Sequence, residues 1–390
     1  MSTATATMLE PSSPTASFRY DVRTCETLAA FRALQPQWCA LSATAEAYSP
    51  FSSFEYCELA VERALASGAT IEVALVYGAH ELLVLWPVAI TRKGALRLAH
   101  SLGCGCGEEY GGPLIRDTRR AELYPTAVVA MTRIHADVLE VPMVENGSAL
   151  QRALSAAPGS WVRRRLPPRW RELPGYAIGL RAYPAWNDFL ATRNATLRSA
   201  LRSSVKRLRR QGDVSFGWCR TADEAQGTLT WLFENKRNWA VARGIESRYL
   251  MDEQVRDFFI ALARRTDLSN VPLVAFVTVD GQPVAASVNL VGARTVEYFI
   301  TTYDEAFGTF SVGNLLVEFL AQWAHANGRD FDFRPLHGDY KARWADRVTR
   351  HESRLLVLNP RGRLIELPLL WALAGRVCRK VATLVTKRPS

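Results

Sequence analysis

Three β-rich runs in direct succession, "VPLVAFVTVDGQPVAASVNLVGARTVEYFITTYD" at residues 271–304, constrain the fold most tightly. Asp280-Gly281 separates the first run from the second, and this residue pair tolerates the positive φ angles of a tight hairpin. Gly292-Ala293-Arg294 separates the second from the third. The stretch therefore predicts an antiparallel meander, which needs a helix to cover a face. "SVGNLLVEFLAQWAHANG" supplies one, with Leu315, Leu316, Phe319, Leu320 and Trp323 on one side and Asn327-Gly328 as a C-cap pair. "RDFDFR" and "SRLLVL" then read as two further short strands.

The first half repeats this plan. "FRYDVRT" reads as a strand, "CETLAAFRALQPQWCALSATA" and "FEYCELAVERALAS" as helices, and "TIEVALVYGAHELLVLWPVAITR" as a hairpin. "DTRRAELYPTAVVAMTRI" is a helix and "ADVLEVPMV" a strand. Identity between the halves is weak, yet the order of elements predicts tandem copies of one α/β (α+β) unit, two mixed sheets flanked by helices. A chain of 390 residues is long enough for two domains. The Pro- and Arg-rich stretch 158–186 marks the boundary. The expected organisation is a leader at 1–17, domains at 18–165 and 180–360, and a basic amphipathic helix at 361–390. The leader "MSTATATMLEPSSPTAS" has neither a basic n-region nor an apolar h-region, so it is not read as a signal peptide. No apolar run approaches the ~20 residues of a membrane span. A reducing cytoplasm is the expected compartment.

The net charge of +10 is concentrated in two places. Residues 189–212 hold seven Lys/Arg and no acid; residues 361–390 hold seven and a single Glu. A uniformly basic nucleic-acid coat is thereby excluded. Within "TLRSALRSSVKRLRRQG" (196–212), Leu197, Leu201, Val205 and Leu208 form one apolar face and leave a cationic one. That cationic face is either simply solvated or flanks a site for a phosphate-bearing ligand. Interleaved aromatics and a nucleic-acid-binding motif are both missing, so nucleic acid is disfavoured. The seven cysteines are scattered, and the thiols of "CGC" (104–106) stand too close for a usual zinc knuckle. The expectation is a glycine loop with incidental thiols and no metal.

The basic "LRSSVKRLRRQG" helix, the "DGQPVAAS" hairpin, "TTYDEAFGTFSVGNLL" and "FDF…GDYKARW" together resemble the GNAT acetyltransferase superfamily. More narrowly they resemble its cellulose-biosynthesis (CelD/BcsL, BioF2-like) family. "SPFSSFEY", "LLVLWPVAI" and "EYGGPLI" extend the resemblance into the first half, so that it runs from about residue 20 to 358. It implies a tandem GNAT, Fem-like fold and transfer of an acyl group from acetyl-CoA to an amine or hydroxyl. The acceptor would be a small molecule or sugar, in polysaccharide or envelope assembly.

Candidate residues follow from this chemistry. Gly308, Ser311, Gly313 and Asn314 form a strand-to-helix turn whose small residues let backbone N–H groups approach a pyrophosphate. An ordinary N-capped turn would look the same. Thioester attack needs a base, an oxyanion donor and an acid for the thiolate. Asp332 is the candidate base, or else a carboxylate paired with Arg334 or another Arg. Strict alternation places Asp330, Asp332 and Arg334 on one face, opposite Phe331 and Phe333. Tyr340 is the candidate acid, and Lys341, where the family pattern ends, is placed at a phosphate or the acyl oxygen. Arg198, Arg202 and His337 are the expected substrate contacts. Glu318 reads equally as a cleft or a solvent-facing residue.

The usual Arg/Gln-x-x-Gly-x-Gly/Ala pyrophosphate loop is absent from "FGTFSVG". Two alternatives therefore stay open: a Fem-type transferase using aminoacyl-tRNA, in which the basic segments meet RNA, and a non-catalytic accessory module of polysaccharide synthesis. Residues 364–388 read either as a packed helix or as a peripheral contact with an anionic inner-membrane surface.

Overall fold

The computed structural model describes residues 18–45, 49–79, 81–106, 109–157, 160–161, 173–336 and 338–366. The tail 367–390 and His337 lie outside the described residues. The strands are β1 (Phe18–Cys25), β2 (Thr70–Gly78), β3 (Glu81–Lys93), β4 (Leu96–Ser101), β5 (Leu114–Ile115), β6 (Val138–Glu145), β7 (Ser160–Trp161), β8 (Leu173–Ile178), β9 (Val214–Trp218), β10 (Val274–Val279), β11 (Gln282–Val291), β12 (Thr295–Tyr303), β13 (Asp330–Pro335) and β14 (Arg347–Val357). The expected meander is β10–β11–β12. Its first turn has Asp280 at φ 49° and Gly281 at φ 76°, the double positive φ of a type I′ hairpin.

The two sheets join into one, in the order β1-β2-β3-β4-β6-β14-β8-β13-β12-β11-β10-β9. The order is a palindrome of two equivalent halves. Each half is an antiparallel run (β1 to β4, β9 to β12) followed by one parallel neighbour, β6 beside β4 and β13 beside β12. The strand that ends each half then crosses over. β8, from the end of the first half, lies beside β13, and β14, from the end of the second, lies beside β6. β8 and β14 pair with one another at the centre, so the halves exchange their last strands and share backbone hydrogen bonds.

Alternation along the strands builds three core clusters. On one face a single cluster runs through both halves, from Phe31, Trp38 and Phe54 to Phe233, Phe258 and Phe259. On the other face the halves keep separate cores. Helix Leu123–Met131 covers one, while Ala195–Leu208 and Val312–Ala326 cover the other. The basic helix is thus docked as its pattern predicts, with Leu197, Leu201 and Leu208 buried and the Asn194 side chain accepting from Leu197 N–H at 2.7 Å. Among the described residues no helix is long and apolar enough to cross a membrane.

Candidate active site

The parallel strands β12 and β13 pair over three rungs only: Thr295 with Asp330, Val296 with Phe331, and Glu297 with Asp332. Beyond that rung they part, and helix Val312–Ala326 begins beside the opening. The turn leading into this helix carries Gly308, Ser311 and Gly313. Ser311 takes a left-handed φ of 54°, and its hydroxyl makes no cap hydrogen bond. A Cβ on Gly308 or Gly313 would meet the half-exposed Tyr303 ring at 3.7 and 3.4 Å. The turn is therefore open, small-sided and rich in helix-terminal N–H groups. Asn314 faces inward instead: its Oδ1 accepts from the Trp344 indole at 3.0 Å.

The basic helix lies against this turn, but through a residue not singled out above. Arg207 Nη2 donates to Thr309 O at 2.9 Å. At about 100° per residue, Arg198 sits half a turn round the helix from Arg207, and Arg202 is on Arg198's flank. Arg198 donates to Ala191 O at 3.1 Å, and Arg202 is exposed.

At the fork itself, on the face covered by the shared core, polar side chains from both halves converge. The Arg334 guanidinium is buried and donates from Nη1 to Glu297 Oε2 at 2.8 Å. It also lies over three rings, Phe51, Tyr110 and Phe299, at 4.5, 4.3 and 4.9 Å. Ser49 Oγ donates to Glu297 Oε1 at 3.1 Å. Asp332 is half-buried and accepts from the Tyr110 hydroxyl at 2.9 Å and from Arg334 N–H at 2.6 Å. His351 stacks on Tyr110 with centroids 5.5 Å apart.

Simple alternation does not describe this strand. The register of β13 against β8 shifts between Asp332 and Arg334, and Arg334 has φ 66°. A left-handed bulky residue costs on the order of 1–2 kcal/mol, so its surroundings must hold it. They do so at both ends: Glu297 takes the guanidinium, and Lys341 Nζ donates to the carbonyls of Arg334 and Pro335 at 3.3 and 3.2 Å. Arg334 therefore pairs with Glu297 through its side chain and with Asp332 only through its backbone.

Burial decides the electrostatics. It pushes the Glu297 carboxyl up to about 7, outweighing the opposing pull of Arg334. It holds His351 down at about 4, hence neutral, and raises the Tyr110 phenol well above its ordinary value. A buried carboxyl near neutrality beside a more accessible carboxylate is suited to accepting and passing on a proton.

The expected catalytic trio is thus distributed. Asp332 is in the cluster, and Lys341 stands one step behind, holding Arg334. Tyr340 is on the opposite face, edge-on to Phe333 at 6.0 Å, with burial raising its phenol. Glu318 lies in the covering helix, and burial raises its carboxyl. Sequence reasoning missed Glu297, Arg334, Tyr110, Ser49 and His351 as site residues. The available signal was a Glu inside an otherwise apolar strand, "TVEYFI", and the first-half motifs "SPFSSFEY" and "EYGGPLI", which deliver Ser49, Phe51 and Tyr110.

A forked sheet repeated in tandem is the architecture of the tandem GNAT and Fem-like fold class. Residues 195–342, within the second half of the chain, match the acetyltransferase (GNAT) domain family, which supports an acyltransferase. The fold is similar to a crystal structure of FemX, at 11% identity and a TM-score of 0.61, covering 85% of this chain and 98% of that one. It is also similar to a conserved protein of unknown function from Bacteroides thetaiotaomicron VPI-5482 (14% identity, TM-score 0.51, 86% and 100% coverage). A tandem GNAT protein from the clavulanic acid biosynthesis pathway aligns at 13% identity and a TM-score of 0.43, covering 88% and 99%. No curated protein matches the sequence.

Proposed function

We propose that the chain transfers an acetyl group from acetyl-CoA to an amine or hydroxyl of a small acceptor, with the chemistry at the β12/β13 fork. The observation that carries this is the last paired rung, where Glu297 and Asp332 stand side by side as the strands separate. The thioester would enter the opening from the side of helix Val312–Ala326, its pyrophosphate at the N–H groups of the Ser311–Gly313 turn. The acceptor would approach from the shared-core face, where both halves contribute. Asp332, the more accessible carboxylate, would take the proton from the attacking group. Glu297, near neutrality, would set the charge of the cluster, and Arg334 would offset negative charge as the tetrahedral intermediate forms; its collapse breaks the C–S bond and releases CoA as the thiolate, which takes its proton from solvent. A sugar acceptor in envelope polysaccharide assembly is the substrate class that the motif resemblance implies.

A second donor, aminoacyl-tRNA, is favoured by one observation: the turn lacks the usual pyrophosphate signature, while the flank bearing Arg198 and Arg202 faces solvent. Thermal shift with CoA, acetyl-CoA and tRNA separates the two. With CoA at a hundredfold over Kd, linkage gives about 2.7 kcal/mol of stabilisation, an easily read rise in Tm. Gly313→Asp, a carboxylate at the turn, should reduce that rise while leaving the unliganded Tm near wild type. No rise with millimolar CoA, together with a rise on tRNA, overturns the acetyl-CoA assignment.

A further inference from the structure

We propose that the glycine loop of the first half binds a divalent transition-metal ion, zinc by ligand type, through Cys104, Cys106 and Glu109. The two Sγ atoms and a carboxylate oxygen all lie within 4.8 Å of one another, with Cys104 and Glu109 buried and Cys106 partly so. The C-x-C pair alone is not a zinc knuckle; Glu109, three residues further on, supplies the third ligand.

The loop is built around that carboxylate. Glu109 Oε1 accepts from Cys104 N–H at 2.8 Å and from the Tyr56 hydroxyl at 3.3 Å, the kind of outer hydrogen bonding that orients a ligating carboxylate. A Cβ on Gly103 would fall 2.6 Å from Glu109 Oε1, so only glycine lets the side chain lie there. Gly105, at φ 96°, turns the chain between the cysteines, and a Cβ there would strike Arg63. Arg63 itself donates to Cys104 O at 2.5 Å and pairs with Asp252 at 3.1 Å. Among the described residues no cation pairs with Glu109. Its two hydrogen-bond donors are neutral, so a bound cation would supply the charge compensation that the described residues do not. Two thiols beside it select a borderline-soft ion over calcium or magnesium. Binding would displace the two thiol protons to solvent and leave a site of net charge −1.

Gly103, Gly105 and Glu109 also line a cavity of about 470 Å³ together with His100 and Glu140, so a fourth coordination position can open into it. The next residue, Tyr110, hydrogen-bonds Asp332. The ion would thus anchor the loop that carries Tyr110 to the fork; that consequence rests on the proposed role of Asp332, whereas metal binding does not.

The test is metal content of the purified full-length protein by mass spectrometry, then cobalt substitution read by absorbance. About one equivalent of zinc is expected, with a thiolate-to-cobalt charge-transfer band. Cys106→Ser should abolish most of that band. Glu109→Gln keeps the acceptor for Cys104 and Tyr56 and should weaken cobalt binding at least about tenfold at an unchanged melting profile. Metal-free wild type with no cobalt band overturns the proposal. So does a band that survives Cys106→Ser and Glu109→Gln, or isolation of Cys104 and Cys106 as a disulfide. These readouts do not involve acyl transfer, so failure here and failure of the transferase reading are distinguishable.

Discussion

The molecule contains two forks of the same construction. In the first half β4 and β6 pair at Leu98–Val138, Ala99–Leu139 and His100–Glu140, then part. In the second half β12 and β13 pair over three rungs ending at Glu297–Asp332. His100 therefore corresponds to Glu297, and Glu140 to Asp332. The surroundings differ in kind. Glu140 lines a cavity walled by Ala60, Ala64 and Ala89, and burial raises its carboxyl. Asp332 is held by Tyr110 and by the backbone of Arg334, beside a buried ion pair. The helices differ as well. The first-fork helix begins behind Glu122 as N-cap, a negative charge where an anion would have to sit. The second begins behind Ser311, with Gly313 in its first turn. The two openings share one backbone plan and differ in the side chains that line them.

The sharpest break of this comparison uses equivalent positions. Asp332→Asn should lower kcat on the order of a hundredfold or more, as for loss of a general base. Glu140→Gln should leave kcat within about twofold, as the proposal that the chemistry is confined to the second fork requires. Steady-state assays of the two variants decide it, and equal losses would make the forks functionally alike.

Lys341→Met comes next. It keeps most of the stem but frees the carbonyls of Arg334 and Pro335. Loss of two hydrogen bonds from a charged donor should cost about 2–3 kcal/mol at most. It should also let Arg334 leave its left-handed conformation, with kcat falling about tenfold to a hundredfold. Denaturant melts and kcat, measured together, check this. Normal turnover would make Lys341 a surface residue with no hold on the fork.

The smallest effects concern the basic helix. Arg207→Gln, at the donor turn, should raise the donor KM about tenfold. Arg198→Gln, on the other flank, should change it about twofold at most and mainly flatten its salt dependence. Donor KM titrations at two ionic strengths read both. The reverse ranking would favour a ligand on the solvent-facing flank, as an RNA donor requires.

These contrasts also show what the sequence discloses. The meander was legible because Asp280-Gly281 is a local turn and the strands alternate locally. The basic helix was legible because its apolar face and cationic face are both periodic. β9 was not: Val214–Trp218 is short, contains Gly217, and is a strand because β10 lies beside it. β8 sits in the Pro- and Arg-rich stretch read as a crossing, and becomes a strand only between β13 and β14. The type and face of Asp332 are readable locally, but its two readings, base or partner of an arginine, are not separated by the sequence; a register shift and one positive φ bring the Arg334 side chain to Glu297 and leave its backbone N–H to Asp332. Glu297 meets Arg334 across 37 residues and Tyr110 meets Asp332 across 222. No local pattern encodes such meetings; the joined sheet and its shared core create them.

The most direct test of the claim that the second fork is the chemical centre is the pH dependence of kcat/KM for wild type and Glu297→Gln. Glu297 binds its proton more tightly in the folded protein, at about 7 against an ordinary 4.5, so it favours folding at low pH, and this contribution is lost as pH rises from about 4.5 through 7. Activity runs the opposite way: it should rise with pH as Glu297 ionises, with a midpoint near 7. His351, held at about 4 against 6.5, instead withdraws stability as pH falls from about 6.5 to 4. Rates should therefore be taken above pH 6, where that loss is slight. The expected result is a rising limb near pH 7 in the wild type that disappears in a folded, much slower Glu297→Gln. A limb of unchanged midpoint in Glu297→Gln would contradict the assignment.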